Sequence, residues 1–489
     1  MTTSPTAESM SRPPPRIIQG GMGAAVSSWQ LARAVSATGH LGVVSGTALD
    51  VVYARRLQDG DKGGHVRRAM AAFPVPGVAQ RALDSYYLPA GRAAGRPYRP
   101  VPMFTLAPPV ALQELTVLAN FCEVYLAKEG HPGVVGINYL RKIELPIPFA
   151  CLGAMLAGVD YVLVGAGSPA EMPELLRRLA RRDGVALSVR TQGTTSADGD
   201  FAVRCSPRAL LGAGAPLHRP QLLAIVASTD LAAGLAADPA TRPDGFVIEG
   251  HTAGGHNAPP RGPRRTTPTG EPVYDERDIV DLDAVRGLGL PFWLAGSQGS
   301  PEGLRSAVAA GAAGVQVGTA FAFCAESGLA DRLKRQVLRA LVKGDVRVRT
   351  DWRVSPTGFP FKVLDVAGTL ADPEVTARPH VCDIGALRSP YRQADGTIGY
   401  RCPAEPTKMY LDKGGRAANT EGRQCLCNAL LAAVDLPQRR PHGYDEPAIV
   451  TSGDDLSAVA ALIRSRPDAA PYPASAVIDY LSPAPVRDS

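Results

Sequence analysis

Short apolar runs recur along the chain, each closing on small residues: IIQGG (17–21), LGVVSG (41–46), VVGINYL (134–140), YVLVGAG (161–167), LLAIVAS (222–228), GFVIEG (245–250), PFWLAGS (291–297) and GVQVGTAF (314–321). They are nearly continuous rather than alternating, which is the pattern of strands buried on both faces of a parallel sheet. Between them the spacing turns helical. In SSWQLARAVSATGH (27–40), Trp29, Leu31, Ala32 and Val35 share one stripe, and Gly39 is a stop. In 110–133, Leu112, Leu115, Leu118, Cys122 and Tyr125 recur at helical spacing until Gly130 and Pro132. SPEGLRSAVAAGA (300–312) opens with Ser300 as N-cap and Pro301 at the first helical position.

Eight such strands alternating with helices predict an α/β fold, a (β/α)8 TIM barrel, with a doubly wound open sheet as the alternative that periodicity does not exclude. The expected division is a disordered lead over 1–15, a barrel over 16–344 and a Pro-, Arg- and Cys-rich C-terminal module over 345–489. Two insertions interrupt the barrel, at about 47–109 and at 186–218, where two alternating runs around a turn-rich centre read as a hairpin. A second hairpin is expected in CDIGALRSPYRQADGTIGYRCPAEP, with ADG as its turn.

Length and composition agree with a globular chain: 489 residues, 45% hydrophobic and 20% charged. The net charge of +6 is spread along the chain and leaves no nucleic-acid footprint. No run reaches the ~18 continuous apolar residues of a membrane span. The first residues lack the basic start and apolar run of a secretory signal, and eight cysteines without a disulfide framework fit a reducing cytoplasm. Cys382, Cys402, Cys425 and Cys427 lie close in sequence, but C-L-C is one residue too tight for a paired zinc motif, so reduced thiols in a small lobe are expected and no metal. Lys408, Lys413, Arg416 and Arg423 make that lobe basic, read as a solvated face.

The candidate chemistry sits where the strands end. Small residues gather at the C-terminal ends of the first, sixth, seventh and eighth runs, the face on which barrel enzymes build their sites. Gly296, Gly299 and Ser300 lead into a helix N-terminus, and Gly318 and Thr319 follow the eighth run. Together these two loops read as a phosphate clamp of unpaired N–H donors. A flat cofactor ring would cross the barrel mouth against Gln19, Gly20 and Gly21, with amides from Gln19 and Asn138 at its edge and Ser45, Gly46 and Thr47 closing another side. In EGHTAGGHN (249–257), Gly254 and Gly255 would let backbone pass beneath that ring. His256, with a pKa near neutrality, would exchange a proton beside it.

These motifs resemble the nitronate monooxygenase family, formerly called 2-nitropropane dioxygenases, over roughly 15–435. IIQGGMG, VGINYLRKIELP, EGHTAGGHNAPPRG, PFWLAGSQGSPEGLRSAVAAGAAGVQVGTAF and GRQCLCNALL carry the likeness. The resemblance implies FMN in a TIM barrel, with His256 as the catalytic group. It places the phosphate on Gly296, Gly299, Gly318 and Thr319, and further FMN contacts at Gln19, Gly20, Gly21, Ser45, Asn138 and Gly255, with Ser228 as an added contact. It implies oxidation of a nitronate or similar small acid by O₂. The same loop in FMN-dependent enoyl-acyl-carrier-protein reductases keeps a second reading open, an NAD(P)H-dependent trans-acting enoyl-thioester reductase, and a non-catalytic flavin-binding accessory subunit is a third. The expected partners are a small-molecule substrate or an acyl-carrier thioester, with no nucleic acid and no membrane, and a homodimer left open. Two departures stand out: Ser297 where the family commonly has a second glycine, and His251 where it often has proline, read here as a surface residue.

Overall fold

A computed structural model describes residues 13–483 except 196–197, 377–378, 442 and 465. Most of the expected lead, residues 1–12, thus lies outside the described residues. The strands in chain order are β1 (Ile17–Gln19), β2 (Gly42–Ser45), β3 (Val135–Leu140), β4 (Tyr161–Gly165), β5 (Val185–Ser188), β6 (Ala202–Cys205), β7 (Gln221–Val226), β8 (Gly245–Glu249), β9 (Phe292–Ala295), β10 (Gly314–Val317), β11 (Val348–Asp351), β12 (Phe361–Leu364), β13 (Ser389–Arg392) and β14 (Ile398–Arg401). Each of the eight apolar runs forms one strand of a single parallel sheet, ordered β1-β10-β9-β8-β7-β4-β3-β2.

The sheet closes. Ile18 bridges Leu41 in parallel, with Gln19 N–H donating to Leu41 O at 2.9 Å and Leu41 N–H to Ile17 O at 3.1 Å. The open-sheet alternative is therefore excluded, and the chain is a (β/α)8 barrel. Its interior is packed by Ile18, Val43, Leu163, Leu223, Val247 and Trp293, all inward-facing and buried. The Trp293 indole N–H donates to Pro15 O at 2.7 Å, plugging the N-terminal end of the barrel.

The 47–109 segment carries helices Leu49–Gln58, His65–Ala71 and Val78–Tyr86, packed on the long helix Val110–Lys128. Among the described residues that helix alone is long and apolar enough to cross a membrane, and 72% of it is buried within this fold. It also carries a fully buried carboxylate. Glu123 accepts from Trp29 N–H (2.8 Å), the Tyr53 hydroxyl (2.7 Å) and Arg56 (3.3 Å), tying the first barrel helix to the inserted ones. A buried charge is tolerated here because three donors satisfy it.

β5 and β6 pair antiparallel, as do β13 with β14 and β11 with β12. Residues beyond 344 share the barrel's cores. Val450, Tyr472 and Leu481 pack with Ile17 and Val315, and Phe361, Leu426 and Ile449 pack with Ile143. The Tyr472 hydroxyl donates to Ala320 O at 2.6 Å. This contact brings the C-terminal segment onto the strand ends, where it forms part of the site.

Candidate active site

A cavity opens at the C-terminal ends of the strands. It is lined by Gly20, Gly21, Ser45, Asn138, Gly255, His256, Gly296, Gly299, Gly318 and Thr319, which gathers ten of the twelve sequence candidates. Gln19 and Ser228 are not among its walls. Gln19 is wholly buried: its amide nitrogen donates to Gly20 O (2.5 Å) and Ser27 Oγ (2.8 Å), and its oxygen accepts from Val43 N–H (3.0 Å). The amide expected at a ring edge is therefore spent on stapling β1 to β2 where the barrel closes. Ser228 caps helix Thr229–Ala237, accepting from Leu231 N–H at 3.0 Å.

The two phosphate-type loops lie on this cavity. Ser300 caps helix Pro301–Ala309 through Gly303 N–H at 3.0 Å. The N–H groups of Gly299, Ser300, Gly318 and Thr319 donate to no acceptor among the described residues. Free donors beside a helix N-terminus are the groups an anion site requires. Gly296 has φ +94°, and a Cβ there would stand 2.9 Å from Thr252 Oγ1 and 3.1 Å from Gly250 O, so only glycine fits. Ser297 has φ +52°, left-handed backbone that costs a serine about 1–2 kcal/mol, which accounts for the glycine common at this place.

The paired glycines of AGGH have different tasks. A Cβ on Gly254 would meet Ser452 C at 2.8 Å and Gly453 N at 2.9 Å, so Gly254 makes room for the C-terminal segment and not for a ring. Gly255 has φ +80° and open space where its Cβ would stand. That segment holds the loop in place: Gly255 N–H donates to Thr451 Oγ1 at 2.9 Å, Lys362 N–H to Gly255 O at 2.9 Å, and Asn257 N–H to Pro360 O at 3.0 Å. His256 thus sits in a short antiparallel ladder opposite Phe361, whose ring meets the imidazole edge-on at 4.9 Å.

The imidazole Nε2 hydrogen-bonds Ser355 Oγ at 2.6 Å, and that hydroxyl also pairs with Thr357 Oγ1 at 2.8 Å. Nδ1 has no protein partner among the described residues. Burial, reinforced by the nearby Lys142 charge, pushes the His256 pKa well below the ordinary histidine value. This corrects the expectation of a pKa near neutrality: the ring is neutral at pH 7 and acts as a fixed hydrogen-bonding group.

Several site residues gave no sequence signal. Gln316 lines the cavity beside Gly20 and has a buried Oε1 without a partner. Ser355, Phe361 and Thr451 reach the site only through tertiary packing. Glu249 lines the cavity at the end of β8, and Lys142 follows β3. Burial raises the Glu249 carboxyl to about 7 and lowers the Lys142 ammonium to about 7, and each one's charge partly offsets the other's shift. An acidic residue at the end of a barrel strand was the available clue to Glu249. His251 is exposed and stacks on Tyr274, with ring centroids 4.3 Å apart.

The four C-terminal thiols are mutually close enough that each of Cys382, Cys402 and Cys427 is raised by its neighbours as well as by burial. No group of three or more His, Cys, Asp or Glu among the described residues has the arrangement of a metal site. Arg423, read as part of a solvated basic face, instead donates to the carbonyls of Trp352 (3.1 Å), Arg353 (3.0 Å) and Ser355 (2.5 Å), clamping the loop that holds His256.

These features fit a flavin mononucleotide. Free N–H donors suit its phosphate, the open space at Gly255 suits a flat ring, and the cavity-lining Asn138 amide and the Gln316 oxygen, which has no partner among the described residues, suit its polar edge.

Comparison with known proteins agrees over the part of the chain that builds this face. A family model described as nitronate monooxygenase matches residues 217–352. A curated relative from Mycobacterium tuberculosis, (3aS,4S,5R,7aS)-5-hydroxy-7a-methyl-1-oxo-octahydro-1H-indene-4-carboxyl-CoA dehydrogenase, is 36% identical over 122 residues. That match covers 25% of this chain and 29% of the relative's length. Among solved structures, FabK from Thermotoga maritima is similar at TM-score 0.45 and 15% identity, over 96% of this chain and 92% of that one. Nitroalkane oxidase from Streptomyces ansochromogenes is similar at TM-score 0.38 and 18% identity, over 72% and 77%. The stretch 217–352, which contributes β7 to β10, the AGGH loop and both glycine-bearing loops, is the part of the chain that matches the nitronate monooxygenase family model.

Proposed function

We propose that this chain is an FMN-dependent oxidoreductase that oxidises a nitronate, or a small acid of similar shape, with O₂. The observation that carries the reading is one cavity that joins three unpaired backbone donors, on Gly299, Gly318 and Thr319, to a neutral, rigidly held His256. The N–H groups of Gly299, Gly318 and Thr319 would hold the FMN phosphate, with the helix that Ser300 caps behind them. Asn138 and Gln316 would orient the ring. FMN, when bound, supplies the electron-accepting chemistry that no side chain here provides.

The rest falls to the chain's own groups. Ser355 and the Phe361 edge fix the imidazole, so a hydrogen bond made by Nδ1 is pre-oriented and needs no rearrangement. Because the ring is neutral, it can either donate to a substrate oxygen or accept a proton, according to tautomer. Leu426, Leu430 and Ile449 from the C-terminal segment wall the cavity and limit water.

The test is turnover of propane-2-nitronate with O₂ uptake by the FMN-loaded protein and by His256→Ala. The reading requires intact FMN content in the variant and a loss of at least about 100-fold in kcat/KM, the scale of one lost acid–base or hydrogen-bonding group. Equal turnover would refute it.

One observation favours a second reading. A further cavity shares Ala48, Ile143, Ala386 and Leu387 with the first, and its apolar wall includes Phe104, Leu145 and Phe359. An adjoining slot of this kind suits the arm of a thioester substrate, and the curated relative is named for a carboxyl-CoA dehydrogenase activity. Bleaching of bound FMN by NADPH without air would favour an enoyl-thioester reductase. A flavin that stays oxidised would favour the nitronate reading.

A further inference from the structure

Lys142 is an anomaly among the buried cations. Arg141 beside it pairs with Glu144 (2.8 Å) and Glu171 (2.7 Å) and donates to Ser188 O (3.1 Å). Lys334 reaches three backbone carbonyls, and Lys362 pairs with Asp454 (2.6 Å) and Thr350 (2.8 Å). The Lys142 ammonium makes no hydrogen bond and no ion pair among the described residues. It does touch the face of the Phe359 ring, 3.5 Å from its centroid. Lys142 lines the second cavity, and its charge acts on Glu249 and His256, which line the first, so the ammonium lies beside the junction of the two.

Half-buried ammonium groups normally find a counter-charge, because desolvation without one is costly. Here the fold withholds it. Glu249 is near enough to act on Lys142 electrostatically but forms no ion pair with it. The geometry points to Lys142 as the anchor for the anionic end of the substrate, a planar two-oxygen oxyanion of the nitronate or carboxylate type, at the junction of the two cavities. This deepens the proposed function and rests on it, since the substrate there is such an anion.

The division of labour with His256 follows. A neutral imidazole has no charge to hold an anion, whereas an unpaired ammonium has one and lacks only the ligand. A bound oxyanion would restore the partner that the fold leaves out and raise the ammonium's pKa again. The aromatic ring beneath it keeps the charge from being screened by water. The groups facing Lys142 are Glu249 and His256, and Glu249 in turn faces Tyr274, which Asp278 and Asp454 also influence. Burial lowers the His256 pKa well below the ordinary histidine value, so Glu249 is the other group in this set that titrates near 7.

The experiment is calorimetric titration with isobutyrate, the non-reacting carboxylate isostere of propane-2-nitronate. It compares the purified full-length protein with Lys142→Met and Lys142→Arg at pH 6 and pH 8. Wild type is expected to bind about tenfold more tightly at pH 6, the ratio of protonated lysine fractions around a pKa near 7. Lys142→Met should lose at least tenfold at pH 6 and show no pH dependence. Lys142→Arg should recover binding and hold it to pH 8, because guanidinium stays charged. Binding by Lys142→Met equal to wild type, no isobutyrate binding at all, or a pH decline that persists in Lys142→Arg and so belongs to Glu249, each overturns the assignment. Absence of FMN or of nitronate turnover, with isobutyrate binding that still depends on Lys142, would refute the proposed function and leave this anchor standing.

Discussion

Replacing Gly254 with alanine tests how the C-terminal segment builds the site. The added Cβ would lie 2.8 Å from Ser452 C, 2.9 Å from Gly453 N and 3.2 Å from Ser452 O, all backbone atoms. Ordinary contact begins at 3.4 Å, so the segment must retreat by about 0.5 Å. Its freedom to do so is small. Gly453 N–H donates to Thr319 Oγ1 at 2.8 Å, Asp454 N–H to Thr252 O at 3.0 Å, and Thr451 Oγ1 accepts from Gly255 N–H at 2.9 Å. Overpacking of this kind costs about 1–3 kcal/mol, and each strained hydrogen bond adds up to about 1 kcal/mol. The same retreat displaces both Thr319 and the His256 loop, so FMN affinity and turnover should fall along with the melting temperature. Gly255→Ala is the control for the melts alone: its Cβ meets no protein atom and costs about 1–2 kcal/mol of left-handed strain, while the space it enters is the ring's, so its FMN affinity falls for a different reason. Thermal melts followed by circular dichroism, with FMN titration of each variant, read the result. A Gly254→Ala protein with wild-type melting temperature and FMN affinity would refute the reasoning.

Other outcomes follow from the same geometry. Ser355→Ala removes the partner of His256 Nε2, and should cost about 1 kcal/mol in stability and a larger factor in kcat than in KM, checked by steady-state kinetics. Ser297→Gly should raise stability by about 1 kcal/mol by releasing the φ +52° strain, with FMN affinity kept because the backbone donors remain, checked by melting and titration. Arg423→Ala frees the carbonyls of 352, 353 and 355, and should lower turnover with little change in FMN affinity. Glu249 is raised from its ordinary 4.5 to about 7, so between those values the folded chain holds a proton that the unfolded chain has released. Its contribution therefore destabilises as pH rises from 4.5 to 7, and Glu249→Gln should flatten that part of a melting-temperature profile.

The barrel was legible because both-face burial makes parallel strands continuously apolar, a signal that survives without any tertiary information. The backbone geometry of the two glycine-bearing loops was legible for a related reason: Gly296 and Ser300 have local conformational duties, a positive φ and an N-cap, that residue type reveals. Gln19 shows the limit. An amide at a strand end suits a ligand or a staple equally, and the closure of β1 on β2 decides for the staple. Ser228 was read only as a cofactor contact, and its helix uses it as a cap. Ser355, Phe361, Thr451 and Arg423 were out of reach, since they join His256 from about 100 to 200 residues away through contacts that leave no periodic trace. The neutral state of His256 likewise depends on burial and on Lys142, neither of which a motif encodes.

A flavin held by its phosphate on the loops around Gly299 and Gly318 should discriminate between FMN and riboflavin, which differ only in that phosphate. Flavin fluorescence during titration of flavin-free protein with each of the two measures the difference. Three unpaired N–H donors on the cavity, each worth about 1.5–3 kcal/mol to a charged acceptor, require FMN to bind at least about 100-fold more tightly than riboflavin. Equal affinity for the two, or no binding of either, would show that these loops hold no flavin phosphate.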